Sequence, residues 1–177
     1  MVAADVSVRV AWPADAGGIA AVQLAAWLQR YDAVPLGVGE LTEAWRGTLS
    51  RPPEARHRAL VALAHDEVVG FALTLPSTDP DSDPVADGEV AEFTVAPDRL
   101  GQGHGSRLLQ ACADTLAADR FLRAVCWVDS TDDALRSFLT SAGWGPDGAS
   151  RELAGEDAAA PGSVPRVRQV RLHTALS

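Results

Sequence analysis

Three glycines at alternate positions, Gly101, Gly103 and Gly105, separate an apolar segment from an amphipathic one. The residues before them, 89–95, have the composition of a strand, and those after them, 103–118, place apolar residues at helical spacing. Glycine at such a turn lets the backbone approach a ligand closely and leaves the first N–H groups of the helix free. Because the helix dipole favours negative charge at this end, the turn is a candidate phosphate site. The sequence therefore predicts an α/β protein with an anion site at this turn.

The other segments extend this unit over the whole chain. Their predicted order is β-α-α-β-β-β-α-β-α-β-β, which is a mixed α/β sheet with a parallel β-α-β crossover over residues 89–128 at its centre. At 177 residues the chain is expected to form a single domain, 1–177. A segment rich in Ala, Gly, Pro and acids is predicted to link the last two strands, 144–153 and 167–176. The strands are predicted at 5–10, 59–64, 68–75, 89–95, 121–128, 144–153 and 167–176, and the helices begin at Pro13, after 34–39, at Gly103 and at the N-cap Ser130.

Composition excludes several classes of protein. The formal net charge is -9, and all 15 basic residues are arginine, so a nucleic-acid partner is not expected. No apolar run reaches the ~20 residues that span a bilayer and no secretory h-region is present, so we expect a cytoplasmic protein without a membrane partner. Cys112 and Cys126 lack ligand spacing, as do the four histidines, so no metal site is predicted. Both thiols are expected to be reduced and in the core.

Two familiar phosphate loops fit the glycine turn poorly. A Walker A loop needs lysine, which this chain lacks. A dinucleotide-binding Rossmann fingerprint needs Gly or Ala at position 106, where this chain has Ser106, and it usually lies in a first βα unit. An oxidoreductase that binds a dinucleotide is therefore the weakest of the functional hypotheses.

Residues 95–109 resemble the acetyl-CoA loop of the GNAT superfamily of N-acetyltransferases, whose signature is Q/R-x-x-G-x-G/A after a Val-x-Pro strand end. Gly103 and Gly105 match the two small residues, whereas Leu100 stands at the Q/R position. The order of predicted elements also resembles that of this superfamily.

Residues 130–144 resemble a second GNAT segment, N-x-x-A-x-x-F-Y-x-x-x-G-F. Asp132 stands at the Asn position, and Leu139 replaces the tyrosine that usually protonates the departing thiolate or positions the thioester. A thiol with a pKa near 8.5 leaves tolerably without an acid, so this loss lowers the expected rate without forbidding the reaction. The nearby hydroxyls could substitute for the tyrosine or could simply lie on the helix surface; they are Ser137, Thr140 and Ser141.

The resemblance implies that acetyl-CoA is the donor and that its acetyl group passes directly to a primary amine, with no metal. Backbone amides of the glycine loop would hold the pyrophosphate, and the end of the strand before it would pair with the pantetheine arm. The implied coenzyme A residues are Phe93, Thr94, Val95, Leu100, Gly101, Gln102, Gly103, His104, Gly105, Ser106 and Asp132. A non-catalytic acyl-CoA-binding or regulatory module of the same fold is the alternative, because Leu100 and Leu139 replace two signature side chains.

A protonated amine needs a base before it can attack, and Glu92 and Glu89 are the candidates beside the expected thioester. Regular alternation puts them on opposite faces of the strand, so only one should face the cleft, and Glu92 is preferred. A solvated or paired edge carboxylate is the alternative interpretation of either residue.

Trp27, Tyr31 and Trp45 fall in the two early helices, where the superfamily forms its acceptor pocket. Aromatic walls suit an apolar or a cationic acceptor, although core packing would explain the same residues. The acids of the loop 76–88 would attract a cationic amine or would belong to a solvated loop. The identity of the acceptor stays open, as does the oligomeric state, since the last strands could pair across a homodimer.

Overall fold

The structure, a computed structural model, describes residues 6–31, 33–34, 36–153 and 167–177. The order of helices and strands is the predicted one, and seven strands form one mixed sheet. The strands are β1 Val6–Val10, β2 Arg58–Ala64, β3 Glu67–Pro76, β4 Asp87–Val95, β5 Arg123–Asp129, β6 Gly145–Leu153 and β7 Val167–Ala175. The helices are α1 Ala16–Arg30, α2 Val38–Ser50, α3 His104–Ala118 and α4 Asp133–Ser141.

The sheet consists of an antiparallel half and a second half joined to it by one parallel pair. Its strand order is β1-β2-β3-β4-β5-β7-β6. Strands β1 to β4 pair antiparallel with their neighbours, and α3 carries the chain from β4 to the parallel strand β5. Strand β7 inserts between β5 and β6, antiparallel to both. The predicted parallel β-α-β unit is thus the junction between the two halves.

Strand β4 leaves regular pairing at two points. Toward β3, Leu73 pairs with Glu92 but Thr74 pairs with Val90, so Ala91 is an extra residue and forms a bulge. Toward β5, pairing ends after Glu89 and Val125 although both strands continue. The two strands therefore diverge beyond Glu89, which opens a gap between them.

Helices cover both faces of the sheet, and each face has its own apolar core. On one face α3 packs Leu108, Cys112 and Leu116 against the sheet. On the other face α1 and α2 pack in a second cluster that includes Ile19 and Trp45. Both cysteines of the chain are free and buried, as predicted.

Several predicted boundaries were wrong. Helix α1 begins at Ala16 rather than at Pro13, and α2 begins at Val38 rather than after 39. Strand β4 begins at Asp87 rather than at 89.

Two more boundaries were wrong by two residues, for reasons that the hydrogen bonds show. Ser130 does not cap α4: Asp132 is the N-cap, and its carboxylate accepts the N–H of Leu135 at 3.0 Å. A turn in which the Asp132 N–H bonds to the Asp129 carbonyl delays the helix. Strand β5 begins at Arg123 rather than at 121, because the Phe121 N–H still bonds to a carbonyl of α3. The predicted linker between β6 and β7 lies outside the described residues.

Ion pairs hold the acidic loop between β3 and β4 against strand β7. Asp79 and Asp81 both pair with Arg171 of β7, at 3.0 and 2.7 Å, and Arg171 also contacts Asp147 at 2.6 Å. Arg171 is buried, and these bonds raise its pKa and lower the pKa of Asp81. Burial raises the pKa of Asp147, but a bond from the Ala149 N–H and the bond from Arg171 outweigh it and lower the pKa overall. These carboxylates are therefore engaged in structure. The expectation of a solvated loop was wrong for Asp79, whose side chain is buried, whereas Asp81 keeps 63% of its side chain exposed while it pairs with Arg171.

Candidate functional site

A cleft of about 820 Å³ lies where β4 and β5 diverge. Its walls come from the C-terminal part of β4, the glycine loop, the end of α1, the end of β5 and the start of α4. Nearly all of the residues implied for coenzyme A line it, namely Phe93, Thr94, Val95, Leu100, Gly101, Gly103, Gly105, Ser106 and Asp132. Gln102 and His104 are not among its lining residues. A volume of this size is typical of small-molecule sites.

The glycine loop presents backbone N–H groups to this cleft. Gly101 and Gly103 adopt left-handed φ values of 74° and 86°, which glycine tolerates best. Gly103 is the N-cap of α3 and supplies no side-chain acceptor to the first amides of the helix. A Cβ built on Gly105 would lie 3.4 Å from the Phe138 ring, so the loop packs closely against α4. The first amides of α3 therefore have no side-chain cap, and the loop packs closely against Phe138.

Positive charge surrounds the loop although the chain as a whole is acidic. Arg99 lines the cleft and bonds to Glu67 at 2.6 Å. The Arg107 guanidinium lies over Gly103, 3.0 Å from where a Cβ would stand. His104 is buried, and desolvation together with the charges of Arg107 and Arg99 lowers its pKa. A neutral His104 agrees with a role through its backbone rather than its side chain.

The open edge of β4 runs from the glycine loop toward the centre of the sheet. Beyond Glu89 the strand pairs with β3, and among the described strands no partner faces its other edge. Phe93, Thr94 and Val95 lie on this stretch and line the cleft. Unpaired backbone groups at a strand edge can bond to an extended ligand as a further strand would.

Glu92 and Glu89 lie on the same face of β4, contrary to regular alternation. Gly88 faces α3, since a Cβ there would meet Leu116 and Phe121, so its neighbour Glu89 faces away from α3. Glu92 lines a cavity with Trp45, which also lies on the side away from α3. The bulge at Ala91 shifts the alternation by one residue and so brings both carboxylates to this face.

The surroundings of the two carboxylates differ. Glu92 is exposed to solvent in the cleft, although many protein atoms lie near its carboxylate and partly desolvate it. This desolvation raises the pKa of Glu92 to about 7, with Arg30 lowering it and Asp129 raising it. Glu89 is buried; desolvation and the charge of Asp79 raise its pKa, and it is not among the residues that line the cleft. Glu92 is therefore the carboxylate placed to exchange a proton with a ligand.

An arginine bridge across the cleft was not predicted. Arg30, the last residue of α1, bonds to Asp129 at 3.2 Å and to Asp132 at 2.5 Å. Asp129 also accepts a bond from Gln169 of β7 at 3.0 Å. Asp129 ends β5 at the edge of the gap, and a polar residue at the end of a parallel strand was the signal that could have pointed to it.

The predicted acceptor residues separate into two groups. Trp27 and Trp45 line a smaller cavity of about 250 Å³ between α1, α2 and β3, which we call the α1–α2 cavity. Tyr31 follows α1, is half-buried and lines neither this cavity nor the cleft. The residues of the α1–α2 cavity are Gln23, Trp27, Leu41, Ala44, Trp45 and Thr48 of the two helices together with Leu73 and Glu92 of the sheet.

The three hydroxyls that the sequence offered in place of the missing tyrosine do not line the cleft. Leu139 is buried in the core. Ser137, Thr140 and Ser141 are exposed on α4 and absent from the described lining of the cleft, and the Thr140 hydroxyl bonds to the Arg136 carbonyl at 2.8 Å. These three hydroxyls are helix-surface residues.

Several solved structures that are similar to this chain are described as acetyltransferases. An N-acetyltransferase from Staphylococcus aureus is 18% identical, with a TM-score of 0.72, over 97% of this chain and 99% of that one. A Salmonella typhimurium protein, described as an acetyltransferase with its cofactor acetyl-CoA, is 15% identical, with a TM-score of 0.69, over 98% and 95%. A ribosomal-protein-alanine N-acetyltransferase from Brucella melitensis is 16% identical, with a TM-score of 0.70, over 96% and 99%.

The family follows from the sequence match. Residues 21–144 match the model of the acetyltransferase (GNAT) family, so this chain belongs to the GNAT family. None of the curated proteins compared with the chain matches it. Within the described ranges no helix is long and apolar enough to cross a membrane. No cluster of His, Cys, Asp and Glu side chains in the same ranges could hold a metal ion.

Proposed function

We propose that this chain is a cytoplasmic N-acetyltransferase that moves an acetyl group from acetyl-CoA directly to a primary amine, with residues 1–177 acting as one domain. The observation that carries the proposal is the cleft itself. It runs from the free amides of the glycine loop along the open edge of β4 to a carboxylate, Glu92, whose pKa is about 7. The two buried, unpaired thiols support the cytoplasmic location.

Each part of acetyl-CoA has a matching set of residues in the cleft. The first amides of α3 suit the pyrophosphate, and most of these donors are backbone groups, so Leu100 in place of Gln or Arg need not prevent binding. Arg99 and Arg107 add positive charge at the same end. The open backbone of residues 93–95 suits the amide-rich pantetheine arm. Asp132 is occupied by Arg30 and by its capping bond, so we assign it to shaping the wall of the cleft.

Acetyl-CoA supplies an acyl group already activated as a thioester. The ammonium of the acceptor gives a proton to Glu92, directly or through a water, and the free amine then attacks the thioester carbonyl. The C–N bond forms as the C–S bond breaks, and the sulfur leaves as a thiolate. The nitrogen loses its second proton as it becomes an amide, and this proton passes through solvent to the thiolate, while Glu92 returns the first proton to solvent. A base with a pKa near the working pH is well matched to this transfer. Glu89, buried outside the cleft, is kept as the alternative base.

A non-catalytic acyl-CoA-binding module is the second candidate. It is favoured by one observation, the burial of Leu139 where an acid would be expected. Thiol release separates the two hypotheses. An enzyme releases coenzyme A in an amine-dependent way, whereas a binding module holds acetyl-CoA without turnover.

Acetyl-CoA is expected to raise the melting temperature of the protein. At 100 times its dissociation constant a ligand adds about 2.7 kcal/mol to the free energy of unfolding. For a chain of this size that corresponds to roughly 5–10 °C. Thermal unfolding with acetyl-CoA, and with NAD and ATP as controls, measures the effect. No shift at millimolar acetyl-CoA would refute the donor assignment, and a shift with NAD alone would revive the oxidoreductase hypothesis.

Gly105→Val is expected to weaken acetyl-CoA binding by at least about tenfold, because its side chain would enter the space beside Val95 and Phe138, two residues that line the cleft next to the loop. The fold should tolerate it, since a Cβ at this position meets the Phe138 ring at ordinary contact distance. Calorimetric titration with acetyl-CoA measures the affinity. Gln110→Val, on the exposed side of the same helix, is the matched control and should bind as the wild type does. Equal affinities for the two variants would remove Gly105 from the site.

A further inference from the structure

The α1–α2 cavity adjoins the cleft at Glu92 and Trp27, which line both. An amine seated in this cavity would meet Glu92 on one side while a thioester approached from the other. This inference rests on the proposed function and concerns the chemistry of the amine. The lining of the cavity decides which substituent that amine carries.

Most of the cavity wall is apolar. Leu41 and Leu73 contribute aliphatic surface, and Trp45 packs edge-on against Phe71, with ring centroids 5.2 Å apart. Trp45 is held in place, because it belongs to the buried apolar cluster between the sheet and helices α1 and α2. Such a surface gains free energy when it covers apolar groups of a ligand.

Two polar groups of the wall, the indole N–H of Trp45 and the hydroxyl of Thr48, are already paired. The indole Nε1 of Trp45 donates to Oε1 of Gln23 at 2.7 Å, so the tryptophan offers its ring and not its N–H. The Thr48 hydroxyl donates to the Ala44 carbonyl at 3.1 Å. A ligand that needs many hydrogen bonds would find few free partners here.

The charge in the cavity has one sign. Glu92 is the one ionisable side chain among the described residues that line it. In the neighbouring cleft, Arg30 is paired with both Asp129 and Asp132, so it is not free to receive an acid group of the acceptor. A carboxylate or phosphate on the acceptor would therefore be desolvated without a cation and would face Glu92, which is unfavourable.

We propose that the acceptor is a small primary monoamine with an apolar substituent of about the size of an aromatic ring. The ammonium lies at Glu92 and the apolar group lies against Trp45, Leu41 and Leu73. A cavity of about 150 Å³ holds benzene, so about 250 Å³ holds a ring with a short alkyl chain. Amino acids with a free carboxylate and polyamines do not match this site.

A panel of amines tests the proposal by acetyl-CoA-dependent thiol release. Phenylalanine amide and phenylalanine form the key pair, because they differ only at the carboxyl group. Rates are compared per free-base amine, since the amide also has the lower amine pKa. We expect kcat/KM to be roughly 100-fold higher for phenylalanine amide. 2-Phenylethylamine should also react well, while spermidine and an alanine-terminated peptide should react poorly.

Ala44→Phe provides a test within the protein. Ala44 lies at the solvent-exposed side of the cavity wall on α2, so a phenyl group there should fill the cavity without disturbing the core. We expect KM for 2-phenylethylamine to rise on the order of tenfold, with the acetyl-CoA-induced thermal shift unchanged. Ser50→Phe, exposed at the end of the same helix and outside the cavity lining, is the control and should leave KM unchanged.

The outcomes separate this inference from the function on which it rests. Preference for spermidine, phenylalanine or the peptide would overturn the apolar acceptor while leaving the acetyltransferase intact. An acetyl-CoA thermal shift with no turnover of any amine would overturn both and favour the binding module. Equal effects of Ala44→Phe and Ser50→Phe on KM would show that the α1–α2 cavity does not hold the acceptor.

Discussion

Glu92→Gln is expected to lower kcat/KM by about 10²- to 10⁴-fold, the usual contribution of a general base. The amide keeps the shape of the side chain but cannot accept the proton of the ammonium. Glu92 lines both the cleft and the α1–α2 cavity, so its loss should affect the chemical step more than donor binding. Thiol release measured with the best amine of the panel gives the size of the loss.

The pH profile gives a second signature of the same residue. Glu92 must be ionised to act, and its pKa is raised to about 7 by desolvation. Wild-type kcat/KM should therefore fall tenfold per pH unit below about 7, and Glu92→Gln should lack this limb. Glu89→Gln is the matched control, a second desolvated carboxylate on the same strand that lies outside the cleft. A larger loss from Glu89→Gln would transfer the role of base to Glu89.

The stability of the folded protein should depend on pH in the opposite sense: ionisation of Glu92 increases activity but lowers the free energy of unfolding. A carboxyl group whose pKa is higher in the folded than in the unfolded protein makes folding less favourable as pH rises between the two values. For Glu92 that window runs from about 4.5 to about 7. The melting temperature of Glu92→Gln should thus match the wild type near pH 4 and exceed it at pH 8. A lower melting temperature at pH 8 would mean that the carboxylate stabilises the fold.

Arg171→Met is expected to destabilise the protein by about 3–5 kcal/mol, because it removes the buried cation that Asp79 and Asp147 share. Arg123 also bonds to Asp147, at 2.8 Å, and stays in the variant, so the loss should lie toward the lower value. Arg171 is 6% exposed and pairs with Asp79, Asp81 and Asp147. At this chain length the melting temperature should fall by roughly 6–20 °C. Thermal unfolding at pH 7 is the measurement.

Arg46→Met is the control for this loss of charge. Arg46 pairs with Glu43 on the exposed surface of α2, and such pairs contribute about 1 kcal/mol or less. The pH dependence adds a further test, because pairing with Arg171 lowers the pKa values of Asp147 and Asp81, the latter to about 2. The gap between wild type and Arg171→Met should close as pH falls from about 4 toward 2. A shift no larger than that of Arg46→Met would show that the network adds little to stability.

Local patterns in the sequence were sufficient to predict the order of helices and strands and the position of the glycine loop. The spacing of apolar residues predicted each strand and helix in order, and the alternation of Gly101, Gly103 and Gly105 marked the helix N-terminus at the cleft. Glycine tolerates left-handed φ values, and a helix repeats about every 3.6 residues. Both properties belong to residues close together in the chain, so they can be recognised without knowing what the segment packs against. The boundaries at Ser130 and 121 failed because single hydrogen bonds, invisible in such patterns, moved them.

The arrangement of the candidate site depended on contacts between distant segments. The bulge at Ala91 exists in the pairing of β4 with β3, and it placed Glu92 and Glu89 on one face where regular alternation had separated them. The Arg30 bridge joins residues about a hundred positions apart, and so does the pairing of Arg171 with the acidic loop.

The sequence by itself determined the α/β class, the order of the elements, the GNAT resemblance and the loop suited to phosphate. Only the tertiary structure decided which carboxylate faces the cleft and why its pKa is near 7. It also decided which acidic side chains pair with arginines and which aromatic residues line a cavity. The first group depends on backbone preferences and periodicity within short segments. The second depends on desolvation and Coulomb interactions, which are set by distances in space between residues far apart in the chain.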